Sequence, residues 1–240
     1  MKLKVDFHTH TSDDLVETVV SGRTNLPSPY ELVDLAIAHQ FDAIAITHHG
    51  IVYCNARLNA YAAERGLLII PGVEAFIESK HVLLINYPMV KPFLKYQDLC
   101  KHRREHGLII APHPFYVQGK CVGKNLIRYH QCFDAVEYSR FHYKSINPAS
   151  KALRIARRFN LPVVGGSDAH EVYQFGATYS IVDAEAKSVA AIVRAVKQGK
   201  VEFVSDNDSL LHFIKDIYWT IKTFPLDAWK FTQRIRESFL

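Results

Sequence analysis

The chain has 240 residues, with 29 Lys plus Arg against 24 Asp plus Glu and a formal charge of +5 when histidine is neutral. Apolar residues make up 48% and charged residues 22%, which excludes a disordered chain, and the mild basic balance falls short of the concentrated positive stripe of a dedicated nucleic-acid binder. MKLKVDFHTH at the start lacks an apolar leader core, and no window of about 18 residues is free of charge, so a cytoplasmic protein without a membrane contact is expected.

In chain order, the run at 3–7 reads as the first strand. Ser28, Pro29 and Glu31 then give a capped helix start, with Leu32, Leu35, Ala36 and His39 on its inward side. Strands follow at 43–47, 67–70 and 82–85, a helix at 96–106, strands at 108–111 and 135–138, a helix at 146–159, strands at 162–165 and 179–182, and a helix at 187–198. Short, nearly continuous apolar strands alternating with helices predict a parallel sheet covered on both faces, closed as one compact, irregular barrel over 1–205. In the tail, 206–240, Leu210, Leu211, Ile214, Ile217, Tyr218 and Ile221 fall at helical spacing and predict a helical extension that packs on the barrel. Cys54, Cys100, Cys121 and Cys132 show no CxxC spacing and are expected as reduced thiols, since a chain of this length needs no staples.

Thirteen histidines stand out, and their placement matters more than their number. His8 and His10 follow the first strand at i and i+2, so in extended chain both reach one face. His48 and His49 close the second strand, Glu74 follows the third, His113 ends the fifth, and Asp168 and His170 follow the run at 162–165; His81, at the start of its strand, is the exception. The C-terminal ends of parallel barrel strands share one rim, where such folds place chemistry. So many imidazoles and carboxylates in one place would be costly to bury without cations. A ligand set of imidazole and carboxylate without thiolate suits Mn, Zn or Fe, and its size calls for two or three divalent ions, with Glu74 able to bridge a pair.

DFHTH followed by SD, then AITHH, PGVEA, the histidine before VLLI, APHP and GGSDAH occur in this order, and over residues 3–183 the chain resembles the PHP (polymerase and histidinol phosphatase) family of metal-dependent phosphoesterases. The resemblance implies a distorted (βα)7 TIM-like barrel with a trinuclear site. His8, His10, Glu74 and Asp168 would hold one metal, Glu74 would bridge to a second on His81 and His113, and Asp13, His49 and His170 would hold a third. The acidic residue after His10 comes earlier than the family spacing, so Asp13 and Asp14 both qualify. His48 stands where relatives often have Asp and is read as a hydrogen-bonding neighbour or a general acid beside the catalytic Glu74 and Asp168. No gap has room for an inserted cap domain.

The implied reaction is hydrolysis of a phosphate ester, with a small phosphorylated metabolite or nucleotide as substrate; a diesterase or exonuclease on short single-stranded nucleic acid is the competing reading, and oligomeric state stays open. Arg140 and Lys124, and less directly Arg23, are the candidates to bind phosphate. Tyr116, Phe141, His142 and Tyr143 could form an aromatic wall, and Glu137 could orient a metal-binding histidine.

Overall fold

The computed structural model describes residues 1–88, 93–116, 119–140, 147, 149–206, 211 and 213–219. Phe141, His142 and Tyr143 of the expected aromatic wall, and Leu210 and everything from residue 220 onward in the expected tail helix, lie outside them.

Nine strands form one sheet: β1 (Lys2–Thr9), β2 (Ala43–Ile46), β3 (Leu68–Ile77), β4 (Lys80–Ile85), β5 (Leu108–Ala111), β6 (Ala135–Ser139), β7 (Val163–Gly166), β8 (Thr178–Asp183) and β9 (Val201–Ser205). Their spatial order is β7-β6-β5-β4-β3-β2-β1-β8-β9. All eight expected strands are present, and β9 is an addition that pairs with β8. The curled sheet is a nearly closed, TIM-like barrel, as expected, but it is not parallel throughout. β1-β2-β3 and β5-β6-β7 are parallel, whereas β4 runs against both neighbours and β8 against β1 and β9. The reversal at β4 comes from a two-residue turn, Glu78-Ser79, in which both residues have positive φ (48° and 64°). Hairpins of this type are usually flagged by Asn-Gly, a signal missing here.

Period-two alternation sorts the strand residues into two layers. Leu3, Val5, Phe7, Ala43, Ala45, Leu83, Ile85, Leu108 and Ile110 meet in one core with Ile192, Val193 and Val196 of α6 (Val189–Lys197). The alternate residues Val82, Leu84, Ile109 and Val136 pack against α3 (Tyr96–Lys101) and α5 (Ala149–Arg158). Ile44 and Ile46 pack against α1 (Pro29–Ala38) and α2 (Ala56–Glu64). At the start of α1, Ser28 accepts from the Glu31 amide while Glu31 accepts from the Ser28 amide, the reciprocal cap read from the sequence.

Several local expectations are corrected. His39 is exposed at the end of α1 rather than inward. The helix expected over 96–106 stops at Lys101, because Arg103 is drawn to Asp134 and the Arg104 amide donates to the Tyr87 hydroxyl. α2, capped by Asn55, was not expected, because its buried side is only Leu58 and Ala62, too thin a stripe to read. Cys100 and Cys132 are joined as a disulfide rather than reduced, tying α3 to the turn before β6. Cys54 and Cys121 are free thiols. In the tail, residues 213–219 are helical, but Leu211, Ile214 and Tyr218 of the expected packing stripe face solvent, and the helix is buried instead through Phe213 and Asp216. Among the described residues, no helix is long and apolar enough to cross a membrane.

β7 and β8 meet across the barrel at Gly165. Its amide donates to the Ser180 hydroxyl at 2.9 Å, and that hydroxyl donates to the Gly165 carbonyl at 3.0 Å. A Cβ on Gly165 would lie 2.2 Å from the backbone oxygen of Tyr179, an atom that cannot swing away. Gly165→Ala is therefore expected to cost about 3 kcal/mol as overpacking. That corresponds to a fall in melting temperature of roughly 6–12 °C for a domain of this size, measurable by calorimetry.

Candidate metal centre

β1 ends in a bulge that shifts its pairing with β2 between Asp6 and Thr9, and His8 and His10 are fully buried there. Bulges beside functional sites re-aim side chains in this way. Asp6 braces the turn from beneath: its Oδ1 accepts from the amides of His8 and Ser167, both at 3.1 Å. Burial raises the Asp6 carboxyl to about 7 despite those bonds.

Glu74, on β3, is the hub. Its Oε2 lies 3.4 Å from His8 Nε2, 3.4 Å from His10 Nε2 and 3.0 Å from His49 Nε2. Its Oε1 lies 2.5 Å from His81 Nδ1 and 3.2 Å from His113 Nε2. The antiparallel course of β4 explains why His81, at the start of its strand, still reaches this basin: the turn at 78–79 folds it back against β3, where it pairs with Phe76. Asp168 Oδ1 closes the basin, 3.2 Å from His8 Nε2 and 3.5 Å from His10 Nε2. His113 and Asp168 both adopt positive φ, 28° and 48°. Such backbone is sparsely populated for non-glycine residues and persists where the surroundings hold it.

The imidazoles are gripped from behind. His8 Nδ1–H donates to Glu137 Oε1 at 2.9 Å, and the other Glu137 oxygen accepts from the His113 amide at 2.8 Å. A Cβ on Gly166 would fall 2.0 Å from that Glu137 Oε1, so only glycine leaves room for the carboxylate. Asp14 Oδ2 accepts from Nδ1 of both His10 and His49, at 2.8 and 2.9 Å. His113 Nδ1 lies 3.3 Å from Cys121 Sγ, and His170 Nδ1–H donates to the Asp168 carbonyl at 2.9 Å. His8, His10, His49 and His113 thus turn Nε2 toward Glu74, with the other nitrogen fixed, as metal-binding histidines are commonly held.

Among the described residues, three sets bring ligand atoms within 4.8 Å of one another: His8, His10, Glu74 and Asp168; His10, Asp14 and His49; and His49, Glu74 and His81. Asp14, not Asp13, enters the cluster, because Asp13 is exposed and accepts from the Tyr53 hydroxyl at 2.9 Å. His170 Nε2 lies 3.6 Å from Glu17 Oε2. Glu17 was missed in the sequence. It sits on a π-helical turn, Val16–Val20, buried beside Arg23 Nε at 2.6 Å and 3.9 Å from His49 Nδ1. Its signal was its spacing, three residues after Asp14 and so on the same side of a turn.

The remaining expected residues are placed as follows. His48 Nε2 lies 2.8 Å from the Thr11 hydroxyl, its ring is edge-on to Tyr53, and it belongs to none of the three sets. Burial pushes the His48 imidazole down to about 3, so it is neutral. Arg140, just past β6, is buried and paired with Asp216 of the tail helix. Lys124 is exposed beside α4 (Asn125–Arg128) and makes no contact with the basin among the described residues. Tyr116 is buried against Cys121.

The fields in the basin oppose one another. Burial alone lowers the His8 and His49 imidazoles, but the surrounding carboxylates, Asp168, Glu137 and Glu74 at His8 and Asp14 and Glu74 at His49, raise them to about 10 and about 9. His10 and His113 are also raised. Glu74 and Asp168 are held well below the ordinary carboxylate range, because the imidazoles outweigh the burial that would raise them. His81 goes the other way: burial lowers it to about 3 although Glu74 adjoins it.

Residues 148–201, which carry Asp168 and His170, match the family model PHP_C, described as PHP-associated. No curated protein matches the chain. Among solved structures, a two-domain protein from Bacteroides vulgatus containing a predicted PHP-like metal-dependent phosphoesterase shares the fold, with a TM-score of 0.63 and 19% identity over 93% of this chain and 70% of that one. PsfC from Pseudomonas syringae does so with a TM-score of 0.60 and 17% identity over 94% of this chain and 99% of that one. At such identities the likeness is one of fold, that of a TIM-like α/β barrel. The matched segment covers residues 148–201 alone, and together with the fold it makes the chain similar to PHP-domain proteins.

Proposed function

We propose that the protein is a metal-dependent phosphoesterase that hydrolyses a small phosphomonoester. One observation carries this reading. Nε2 of His8, Nε2 of His10 and Oδ1 of Asp168 are buried, satisfy no hydrogen bond and converge with Glu74. They face one another only as ion pairs at 3.2–3.5 Å with no hydrogen bond aligned, an arrangement that cations placed between them would complete.

The donor set fits divalent manganese, zinc or iron. His8, His10, Glu74 and Asp168 would hold one ion, and Glu74 with His81 and His113 a second. His49 and His170 would hold a third, with buried Glu17 taking the place expected of Asp13, because Asp14 is spent on the outer nitrogens of His10 and His49. Bound there, the ions supply activated water at neutral pH and positive charge for the phosphoryl oxygens. The protein's own groups fix the ligands: Glu137 and Asp14 set the imidazole tautomers, and Asp6 ties the two ligand-bearing loops together. Arg23, paired with Glu17 beside His170, and Arg140, just past β6, are the guanidinium candidates for phosphate. Neutral His48 supports the edge of the basin through Thr11 and holds no imidazolium proton for a leaving group at neutral pH.

Protein loaded with Mn, Zn or Fe should release phosphate from p-nitrophenyl phosphate or from members of a panel of phosphorylated metabolites and nucleotides, lose that activity in EDTA, and regain it when metal is restored. Nucleotide release from oligonucleotides or bis(p-nitrophenyl) phosphate, with no turnover of any monoester, would contradict the monoester reading.

The titrations give a second expected result. Ligand imidazoles must be neutral, so metal binding at pH 7.5 should expel protons from His8 and His49, about two or more per chain, read by calorimetry in buffers of different ionisation enthalpy. In the metal-free protein these imidazoles sit above their unfolded value of about 6.5. Their stabilisation is therefore complete below pH 6.5 and lost as pH rises through about 9 to 10. Urea midpoints should fall over that window without metal and hold nearly level with it.

A further inference from the structure

The chain after His113 is fastened to the half of the basin proposed for the second ion. The Lys120 carbonyl accepts from the His81 amide at 2.8 Å, and the next residue, Cys121, places Sγ 3.3 Å from His113 Nδ1. Lys80 donates to the Gly119 carbonyl, and the Gly123 amide donates to the Pro114 carbonyl at 2.9 Å, so the main chain at Lys120 is held on both sides. Lys120 thus stands between His81 and His113, the residues proposed with Glu74 to hold that ion. Its half-buried side chain turns toward the same group of rings. The ammonium lies 5.9 Å from the centre of the Phe76 ring, and Phe76 pairs with His81 across β3 and β4. The centre of that ring is 5.0 Å from the His81 ring and 5.7 Å from the His49 ring. Burial does most to lower the His81 imidazole, and the positive charge of Lys120 is near enough to add to it.

We propose that Lys120 binds the substrate's phosphoryl group on the His81–His113 side of the basin, in place of the Lys124 expected from the sequence. The proposal rests on the phosphoesterase reading for the identity of the anion. The distance to Phe76 is near the outer limit of a cation–π contact, so the ring guides the ammonium without gripping it. An ammonium carries three N–H donors and can take a phosphoryl oxygen while keeping its other contacts. Lysine is also a compact charge on a flexible stem, able to follow a phosphoryl group where the planar fork of arginine would fix one approach. The main chain beneath it is rigid, so the stem alone needs to move. Positive charge gathered on Glu74, His81 and His113 would repel the ammonium, whereas a phosphate dianion between them attracts both sides. Lys120 therefore contributes most once the anion has arrived, and more strongly for being half-buried than it would in open water.

The test uses the full chain loaded with manganese, and inorganic phosphate as the probe. Phosphate affinity is measured by calorimetry and manganese content by elemental analysis, for wild type, Lys120→Gln, Lys120→Arg and Lys2→Gln. The last removes the same charge at the exposed start of β1, the end of the strand away from His8. Loss of one charge-assisted contact is expected to weaken phosphate binding about tenfold or more in Lys120→Gln, with manganese content unchanged. Lys120→Arg, which keeps the charge, should bind within about threefold of wild type, and Lys2→Gln should match wild type. Lys120→Met keeps the apolar stem beside Phe76 and gives the same reading if Lys120→Gln folds poorly. Affinity within about twofold of wild type in both charge-removing variants at 120 would overturn the assignment. So would an equal loss in Lys2→Gln, a loss that Lys120→Arg does not restore, or a loss that comes with missing manganese. These readouts need no turnover. If no phosphoester is hydrolysed by any metal-loaded form while phosphate affinity responds as stated, the assignment of Lys120 stands and the phosphoesterase reading falls. If esters are hydrolysed and phosphate affinity does not change, the assignment falls alone.

Discussion

Glu74→Gln is expected to reduce phosphoester hydrolysis by about a thousandfold, with at least one fewer ion per chain by elemental analysis. Five imidazoles face this one carboxylate, three on Oε2 and two on Oε1, so among the described residues it is a carboxylate placed to be shared between neighbouring proposed ions. Losing the charge stabilisation that an ion supplies, several kcal/mol, corresponds to about three powers of ten in rate. The amide keeps the shape of the side chain but presents an N–H₂ where a lone pair faced an imidazole, and it removes the negative charge that helps hold His8 and His49 protonated in the metal-free protein. Metal-free Glu74→Gln should therefore also lose much of the fall in stability between pH 6.5 and 9. Activity within tenfold of wild type, with full metal content, would mean that Glu74 is not the hub.

The second large effect is expected from a residue that never meets the ions. Glu137 binds the back of His8 with one oxygen and the His113 amide with the other, so it couples two proposed ligands, one on β1 and one just past β5. Glu137→Gln can satisfy one of these donors and must turn an N–H₂ toward the other. Metal affinity should fall about 10–100-fold, as when orienting carboxylates are removed elsewhere. Metal-free stability should drop by about 1–3 kcal/mol for the buried donor left without an acceptor. Competition with a chelating dye gives the first number and urea unfolding the second. Affinity within twofold of wild type would show that His8 and His113 are held by packing alone.

How far the sequence reached follows from what each feature depends on. The strands were legible because full burial leaves runs such as Ala43-Ile44-Ala45-Ile46 apolar throughout, and the first cap because Ser28, Pro29 and Glu31 are local chemistry. Strand direction was not legible: the reversal at β4 depends on Glu78 and Ser79 taking positive φ, which neither residue type announces. Most of the basin could be read because its histidines sit in short clusters at strand ends. The choice between Asp13 and Asp14 could not, since adjacent residues point apart and only the fold says which one turns toward His10 and His49. Glu17 lies in no cluster and is brought in by a single π-helical turn. The Arg140–Asp216 pair joins residues 76 positions apart, beyond anything a local pattern encodes. Nor could spacing alone foresee the Cys100–Cys132 disulfide, because those cysteines meet only through the packing of α3 against the turn before β6.

Anomalous diffraction from crystals loaded with manganese or zinc tests the central claim most directly. Peaks are expected within bonding distance of Nε2 of His8 and His10 and of the Glu74 and Asp168 carboxylates, with a further peak on the His81 and His113 side of Glu74. Fully loaded crystals with no peak in that basin, or with ions bound only at surface histidines such as His39 or His106, would contradict it.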